Sequence, residues 1–428
     1  MTTRRVRIVC ISDTHNQTPR LPSGDILIHA GDLTNQGTFS ELQKTVEWIK
    51  QSKFQVKVII CGNHDITCDV EFYQQYGGYF HNKKREDSQR CLGLFNSDPS
   101  IFFLNHDTKQ ISIKHGDGLV STLKIWGSPH SPAHGFWAFG YSPESASRLW
   151  DQIPLESDIV ITHTPARFHR DECGKRGMAG CEVLRQTLWR VRPRLFVCGH
   201  IHEAYGVEVV EWDLNSSNVR FKEKGVREFN DPEPGSKKQF TVDLSSRARS
   251  QTLQNDGSMG NLIPPIELLK LRGAEVDGPS DGSVPYQHSD EAAYEIGEVD
   301  LDGPERDAAT GRATGADLLP KPPRASTVPF PDFEKAERPT PSKVEGHHAR
   351  HLGTRGQGGA SSSSTRSDQE AISGREGRLE TCIVNAAFMA SNFPHKGGKR
   401  FHKPVVIDLD LPVVDGGVLG QINEVNVL

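Results

Sequence analysis

The 428 residues carry 50 Lys and Arg against 55 Asp and Glu, a formal net charge of -5, which leaves no basic field to attract a nucleic-acid polymer. Hydrophobic residues make up 35% of the chain and crowd into its first half, so that half can build one sizeable core and the stretch beyond 213 cannot. No apolar run is long enough to span a bilayer or to act as a secretory leader, and the 8 cysteines form neither a zinc motif nor a disulfide framework; the expected compartment is the cytoplasm.

In chain order, residues 7–11 read as a strand ending in Ser12-Asp13-Thr14-His15, and 26–29 as a second ending in Ala30-Gly31-Asp32. Phe39, Leu42, Val46 and Ile49 then fall at helical spacing, with Ser40 as the expected N-cap. The next strand, 56–61, ends in Gly62-Asn63-His64-Asp65, so strand, helix and strand form a parallel crossover. A short helix near 70–76 follows, then short hairpin-linked strands at 101–104, 110–114 and 123–126, which make the sheet mixed. The loop 128–141 carries His130, His134 and Trp137, together with Phe136, Phe139 and Tyr141. It reads equally as a substrate mouth, with His130, His134 and Trp137 as candidate binding residues, or as an apolar cover. A helix opens at Pro143. The strand 158–162 ends in His163-Thr164-Pro165. Arg167-Phe168-His169-Arg170 and Lys175-Arg176 read as phosphate contacts or as a solvated basic loop. A helix over 180–192 leads to the strand 195–198, which ends in Gly199-His200-Ile201-His202, and one more strand is expected at 205–214.

Five apolar runs thus each deliver a metal-ligand side chain at the carboxyl end, where chemistry collects in α/β sheets. Asp13, His15, Asp32, Asn63, His163, His200 and His202 are seven oxygen and imidazole ligands, a set suited to two divalent ions sharing one carboxylate: Mn, Fe or Zn, with Mn²⁺ preferred. One such residue alone would read as a cap, a turn residue or a core histidine. Five at five strand ends do not.

The order Asp13-x-His15, Gly31-Asp32, Gly62-Asn63-His64-Asp65, His163, Gly199-His200-x-His202 resembles the calcineurin-like metallophosphoesterase superfamily. The stretches Lys124-Ile125-Trp126-Gly127-Ser128-Pro129, Gly180-Cys181-Glu182, Arg190-Val191-Arg192-Pro193-Arg194 and His202-Glu203-Ala204-Tyr205-Gly206 are similar to its metallophosphoesterase-domain-containing, class III phosphodiesterase-like branch in a fungal-like version. The resemblance covers about residues 5–212 and resumes near 380–412. It implies an α/β fold, a four-layer α/β/β/α sandwich of two mixed sheets with flanking helices. It also implies that Asp13, His15, Asp32 and His202 hold one ion and Asp32, Asn63, His163 and His200 the other, with Asp32 bridging. Hydroxide shared by the ions would attack phosphorus, His64 would protonate the leaving oxygen, and Asp65 would orient ligands. Protein-phosphatase relatives carry an acid where this chain has Asn35, which favours a phosphodiesterase acting on small phosphodiesters, cyclic nucleotides among them. The alternatives are a phosphomonoesterase or protein phosphatase on the same ions, and a metal-stabilised scaffold without activity.

Three regions are expected: a catalytic domain over 1–214, a low-complexity and dispensable insertion over 215–378, and C-terminal strands over 379–428 that complete the sheet edge. The insertion is too rich in Ser, Gly, Pro and charge to offset its ordering entropy. Its apolar stretch 262–271 reads as a short amphipathic turn of helix, which would dock on the catalytic domain or on a protein partner, or equally be a transient local helix with no role.

Overall fold

Alternation along the strands sets the architecture of the computed structural model, which describes residues 2–174, 177–215, 221–258, 375–391, 395 and 397–416. Thr3–Ile11 (β1) sends Val6, Ile8 and Cys10 into one apolar cluster and Val9 and Ile11 into another, as a strand buried on both faces must. The chain continues through Ile26–Ala30 (β2), the helix Phe39–Lys50 (α1), Val56–Ile60 (β3), the helix Val70–Phe80 (α2), Ile101–Phe103 (β4), Asp107–Lys114 (β5) and Leu119–Ser128 (β6). Then come Ile159–Thr162 (β7), the helix Glu182–Val191 (α3), Leu195–Cys198 (β8), Gly206–Asp213 (β9), Lys222–Phe229 (β10) and Phe240–Asp243 (β11). Glu380–Asn385 (β12) and Val405–Pro412 (β13) follow.

The strands form two mixed sheets. One has the order β11-β13-β1-β2-β3-β4; the other runs β10-β9-β12-β8-β7-β6, with β5 antiparallel to β6. Ile8, Ile28, Val58 and Ile60 of the first sheet share a core with Ile125, Ile161, Val197 and Val384 of the second. Outside the first sheet, Leu42, Val46 and Ile49 of α1 cover Val9, Leu27 and Ile59. Outside the second, Leu184, Leu188 and Val191 of α3 cover Val160, Phe196 and Ile383. The result is the α/β/β/α sandwich that the motifs implied. α1 is capped by Thr38 rather than Ser40: Glu41 N donates to Thr38 Oγ1, and the Glu41 carboxylate accepts from Thr38 N, a reciprocal box.

Two expectations about the later chain change. β10 and β11 lie inside the stretch 215–378, so folded strands occur within the region expected to be a dispensable insertion. Among the described C-terminal strands the two-residue Val414–Asp415 borders β6 at an edge, but the two long ones do not close one. β12 sits between β8 and β9, and β13 lies between β1 and β11. Arg378 and Asn255 stitch the two pieces together, Arg378 donating to Ser157 and Ser258 carbonyls and Asn255 to those of Arg192 and Glu380. The described residues all belong to one unit, Met1–Leu262 with Pro341–Leu428; the second unit, Ile263–Thr340, lies outside them. So do the helix expected at 262–271, the Lys175-Arg176 pair and residues 417–428. Among the described residues no helix is long and apolar enough to cross a membrane.

Candidate metal centre

Parallel pairing of β1, β2 and β3, and of β7 and β8, brings the expected ligands to one end of the sandwich. There the backbone leaves each strand abruptly. Asp13, His15, Asp32 and His200 all have positive φ, at 51°, 43°, 52° and 66°. Non-glycine residues adopt that region at a cost, and they do so where surrounding structure over-determines them. Here Asp13 N donates to Gly31 O, His15 N to Asp32 O, and Gly199 N to His163 O, so the loops hold one another. Two glycines permit the approach. A Cβ on Gly62 would lie 2.3 Å from Asp32 Oδ1, and one on Gly199 would lie 2.2 Å from Asp13 Oδ2.

Asp32 is the hub. Its Oδ2 lies 3.4 Å from His163 Nε2 and 3.7 Å from His15 Nε2, while its Oδ1 accepts from His64 N at 2.8 Å. On one side His163 Nε2 also meets Asn63 Oδ1 at 3.0 Å, with the His200 ring beside it at a centroid distance of 5.0 Å. On the other, His202 Nε2 lies 3.3 Å from Asp13 Oδ1 and 3.4 Å from His15 Nε2. Asp13, His15 and His202 each offer an atom within 4.8 Å of the others, and so do Asp13, Asp32 and His163.

The donor set fits divalent ions on chemical grounds. Two imidazole nitrogens face each other beside fully buried carboxylates, an arrangement that needs positive charge between its members. The rings are aimed from behind: His163 Nδ1 donates to Ala30 O at 2.9 Å and His15 Nδ1 to Thr34 O at 3.1 Å, which leaves each Nε2 for the centre. Burial alone would raise the Asp32 carboxyl, but His163, His64 and His15 hold it well below its usual range. Asp13 is likewise lowered against burial, chiefly by His202 and His163. Burial pushes His15 down to about 4, against the pull of Asp32. Against burial, Asp32 in turn pulls His163 up to about 9 and Asp13 raises His202, so the site presents two carboxylates that favour positive charge on their partners, with His15 the neutral imidazole.

His64 is held on three sides. Its Nδ1 donates to Asn35 O at 2.9 Å, its N–H is on Asp32, and its ring lies against Trp137 at 4.0 Å between centroids. The position where relatives carry an acid thus contributes a backbone carbonyl. Asp65 does not touch His64 through its side chain. Its carboxylate accepts from Gly62 N, Leu33 N, Thr34 N and Thr34 Oγ1, clamping the loops of Asp32 and Asn63 together. Its contacts are with the backbone of those loops and with Thr34, behind the ligand side chains.

The loop 128–141 divides by function. Trp137 lines both lobes of the cleft above the centre, a larger one of about 870 Å³ and a smaller one of about 150 Å³ that His134 also lines. His130 lines neither. It is bonded to Ser128 Oγ at 3.0 Å and packed against His106, and burial pushes it down to about 4, so the substrate role expected of it is withdrawn. Phe136 packs on Phe72, Tyr76 and Phe80 of α2, and Tyr141 accepts from Trp150. Arg167-Phe168-His169-Arg170 is no phosphate site either: Arg167 lies over Phe168, His169 bridges Glu208 and Glu223, and Arg170 pairs with Glu208. Reading of the sequence missed Gln36, Glu41, Met389, Ser391, His395 and Lys399, which complete the larger lobe. The Gly397-Gly398 pair beside basic residues was the available signal for the last two.

These loops and this sandwich are those of a known class: the chain belongs to the calcineurin-like phosphoesterase family, whose model matches residues 6–204. It is 41% identical over 211 residues to a protein of Emericella nidulans named Probable rhamnogalacturonate lyase C, covering 49% of this chain and 18% of that one. It is 37% identical over 214 residues to human Metallophosphoesterase domain-containing protein 1, covering 47% of this chain and 62% of that one. A UPF0046 protein of Caenorhabditis elegans is 32% identical over 221 residues, covering 50% of this chain and 68% of that one. This chain thus spans just under a fifth of the first of these proteins and less than two thirds of the second. The family consists of hydrolases of phosphoester bonds that use divalent metals.

Proposed function

We propose that the chain is a phosphodiesterase for small phosphodiesters, cyclic nucleotides among them, working with two divalent ions, Mn²⁺ the preferred one. The observation that carries this is the position of Asp32, whose one oxygen faces His163 on one side and His15 on the other. Asp13, His15, Asp32 and His202 would hold one ion, and Asp32, Asn63, His163 and His200 the second. Bound there, the ions would neutralise charge on the phosphoryl oxygens and lower the pKa of the attacking water. The chain's own part is positional. Asn35 O fixes the His64 tautomer, leaving Nε2 to carry the proton given to the departing oxygen. Trp137 keeps that ring from swinging out and gives an organic substituent a flat surface. Asp65 keeps the two ligand loops in register.

The test is hydrolysis of an aryl phosphodiester and of the matching monoester before and after chelation. Diester turnover is expected to vanish after chelation and dialysis, to return best with Mn²⁺, and to exceed monoester turnover. Full activity in exhaustively chelated protein would end the metal mechanism, and a monoester preference would end the diester reading.

His64→Ala should lower turnover about 10²–10⁴-fold for a poor leaving group and much less for nitrophenolate, which needs little protonation. Metal content should stay near that of the parent. Equal losses for good and poor leaving groups would assign His64 to substrate placement instead.

A further inference from the structure

One wall of the larger lobe comes from the far end of the chain. Beyond β12, residues 388–390 and 400–402 run alongside each other: His402 N donates to Phe388 O, Ala390 N to Arg400 O, and Met389 pairs with Phe401. The first of these segments is tied to the metal-ligand loop itself, because Phe388 N donates to Ser12 O at 2.7 Å and Met389 N to Asp13 O at 3.2 Å. His402, stacked on Tyr205 at 4.2 Å, also reaches His202 O at 3.2 Å. Gly397 and Gly398, at φ of 87° and 92°, reverse the chain and bring Lys399 into the wall of the cleft, where His395 also lies.

Lys399 is the one lysine or arginine among the described residues lining that lobe. It is exposed, and it has no ion pair or hydrogen bond among the described residues. Glu41, the remaining carboxylate of the wall, is already engaged by Asn16 and Thr38. His395 is oriented by Ser391 Oγ at 2.9 Å. At about 870 Å³ the lobe lies in the range that encloses an organic ligand of drug size, roughly 300–1,000 Å³, and is far larger than a bare phosphodiester requires.

We propose that Lys399, with His395 in the same wall, recognises a second oxyanion on the substrate, so that among small phosphodiesters the enzyme prefers those whose organic group carries a carboxylate or phosphate over cyclic mononucleotides, which carry none. This rests on the phosphodiesterase reading above. Ions held by the ligand set would neutralise the reacting phosphoryl group and would leave a charge at the other end of the molecule without a partner. An unpaired ammonium in the cleft wall supplies that second contact.

The test uses three 4-nitrophenyl diesters with the same leaving group: of phenyl phosphate, of 4-carboxyphenyl phosphate and of 4-phosphonophenyl phosphate. The full-length metal-loaded protein should prefer the two charged substrates. Lys399→Ala should raise their KM about tenfold, the value of one charge-assisted contact, and change the phenyl ester less than twofold. Lys399→Arg should restore most of the preference. A rise confined to one charged ester identifies which oxyanion is read and supports the proposal. Equal effects on all three esters, or no preference in the parent, overturn it. Calorimetric binding of the matching non-hydrolysable methylphosphonates separates the two claims. If no diester turns over while Lys399→Ala still weakens the charged phosphonates alone, the diester reading fails and the anion contact stands. Unaltered binding of the charged phosphonates removes Lys399 from the site.

Discussion

Asp32→Asn should reduce turnover by about three orders of magnitude or more and bring metal content, measured by elemental analysis, from two ions per chain to fewer than one. The substitution keeps the shape of the side chain and removes its charge. That charge lies 3.4 Å from His163 and 3.7 Å from His15, so both halves of the centre lose their shared anion together. Charge stabilisation by a metal clamp amounts to several kcal/mol, and each 1.36 kcal/mol is tenfold in rate. His64 loses alignment as well, since its N–H donates to Asp32 Oδ1. Two tightly held ions and a normal rate in Asp32→Asn would show that the ligands are assigned wrongly.

A chain ending at residue 374 should not fold. It lacks Ile383 and Val384 of β12 and Val405, Val406, Ile407, Leu409 and Leu411 of β13, all at most 2% exposed. At about 1.5–3 kcal/mol for each such side chain, their combined burial is comparable with or larger than the ~5–15 kcal/mol that keeps a domain folded. Thermal melting and light scattering would reveal aggregate or an early, shallow transition. The same reasoning reverses the expectation that 215–378 is dispensable: deleting 216–376 removes β10, β11 and Asn255 and should be nearly as damaging. A cooperative melt at the parent's temperature in either chain would place these strands outside the folding unit.

What the sequence disclosed, and what it hid, has a physical pattern. The five ligand-bearing strand ends were legible because a buried strand is an unbroken apolar run, and a polar ligand at its end is conspicuous. β10 was not, since Lys222, Glu223, Lys224 and Arg227 make it look like solvated linker. Their partners lie elsewhere: Arg185 and His169 for Glu223, Glu211 for Lys224, Glu380 for Arg227. β11 has only four residues, too few for a period to show. The central placement of β12 and β13 did leave a trace. Each carries a run of three consecutive apolar residues, Cys382 to Val384 and Val405 to Ile407, the mark of strands covered on both faces, although β13 then alternates through Asp408 and Asp410. In the loop 128–141 no periodicity separates Trp137, which faces the cleft, from His130, which does not.

The strand order also sets a timetable on the ribosome. β8 and β9 leave the exit tunnel long before β12, the strand that lies between them, and β1 waits longer still for β13. Between residues 258 and 380, at roughly 5–20 residues per second, synthesis takes about 6–24 s. Throughout that interval the nascent chain carries unpaired strand borders in both halves of the future sandwich, Val197 and Phe196 on one and Ile8 and Val9 on the other. Such apolar segments recruit other strands, so shielding from neighbouring chains is expected to matter most until residue 412 emerges.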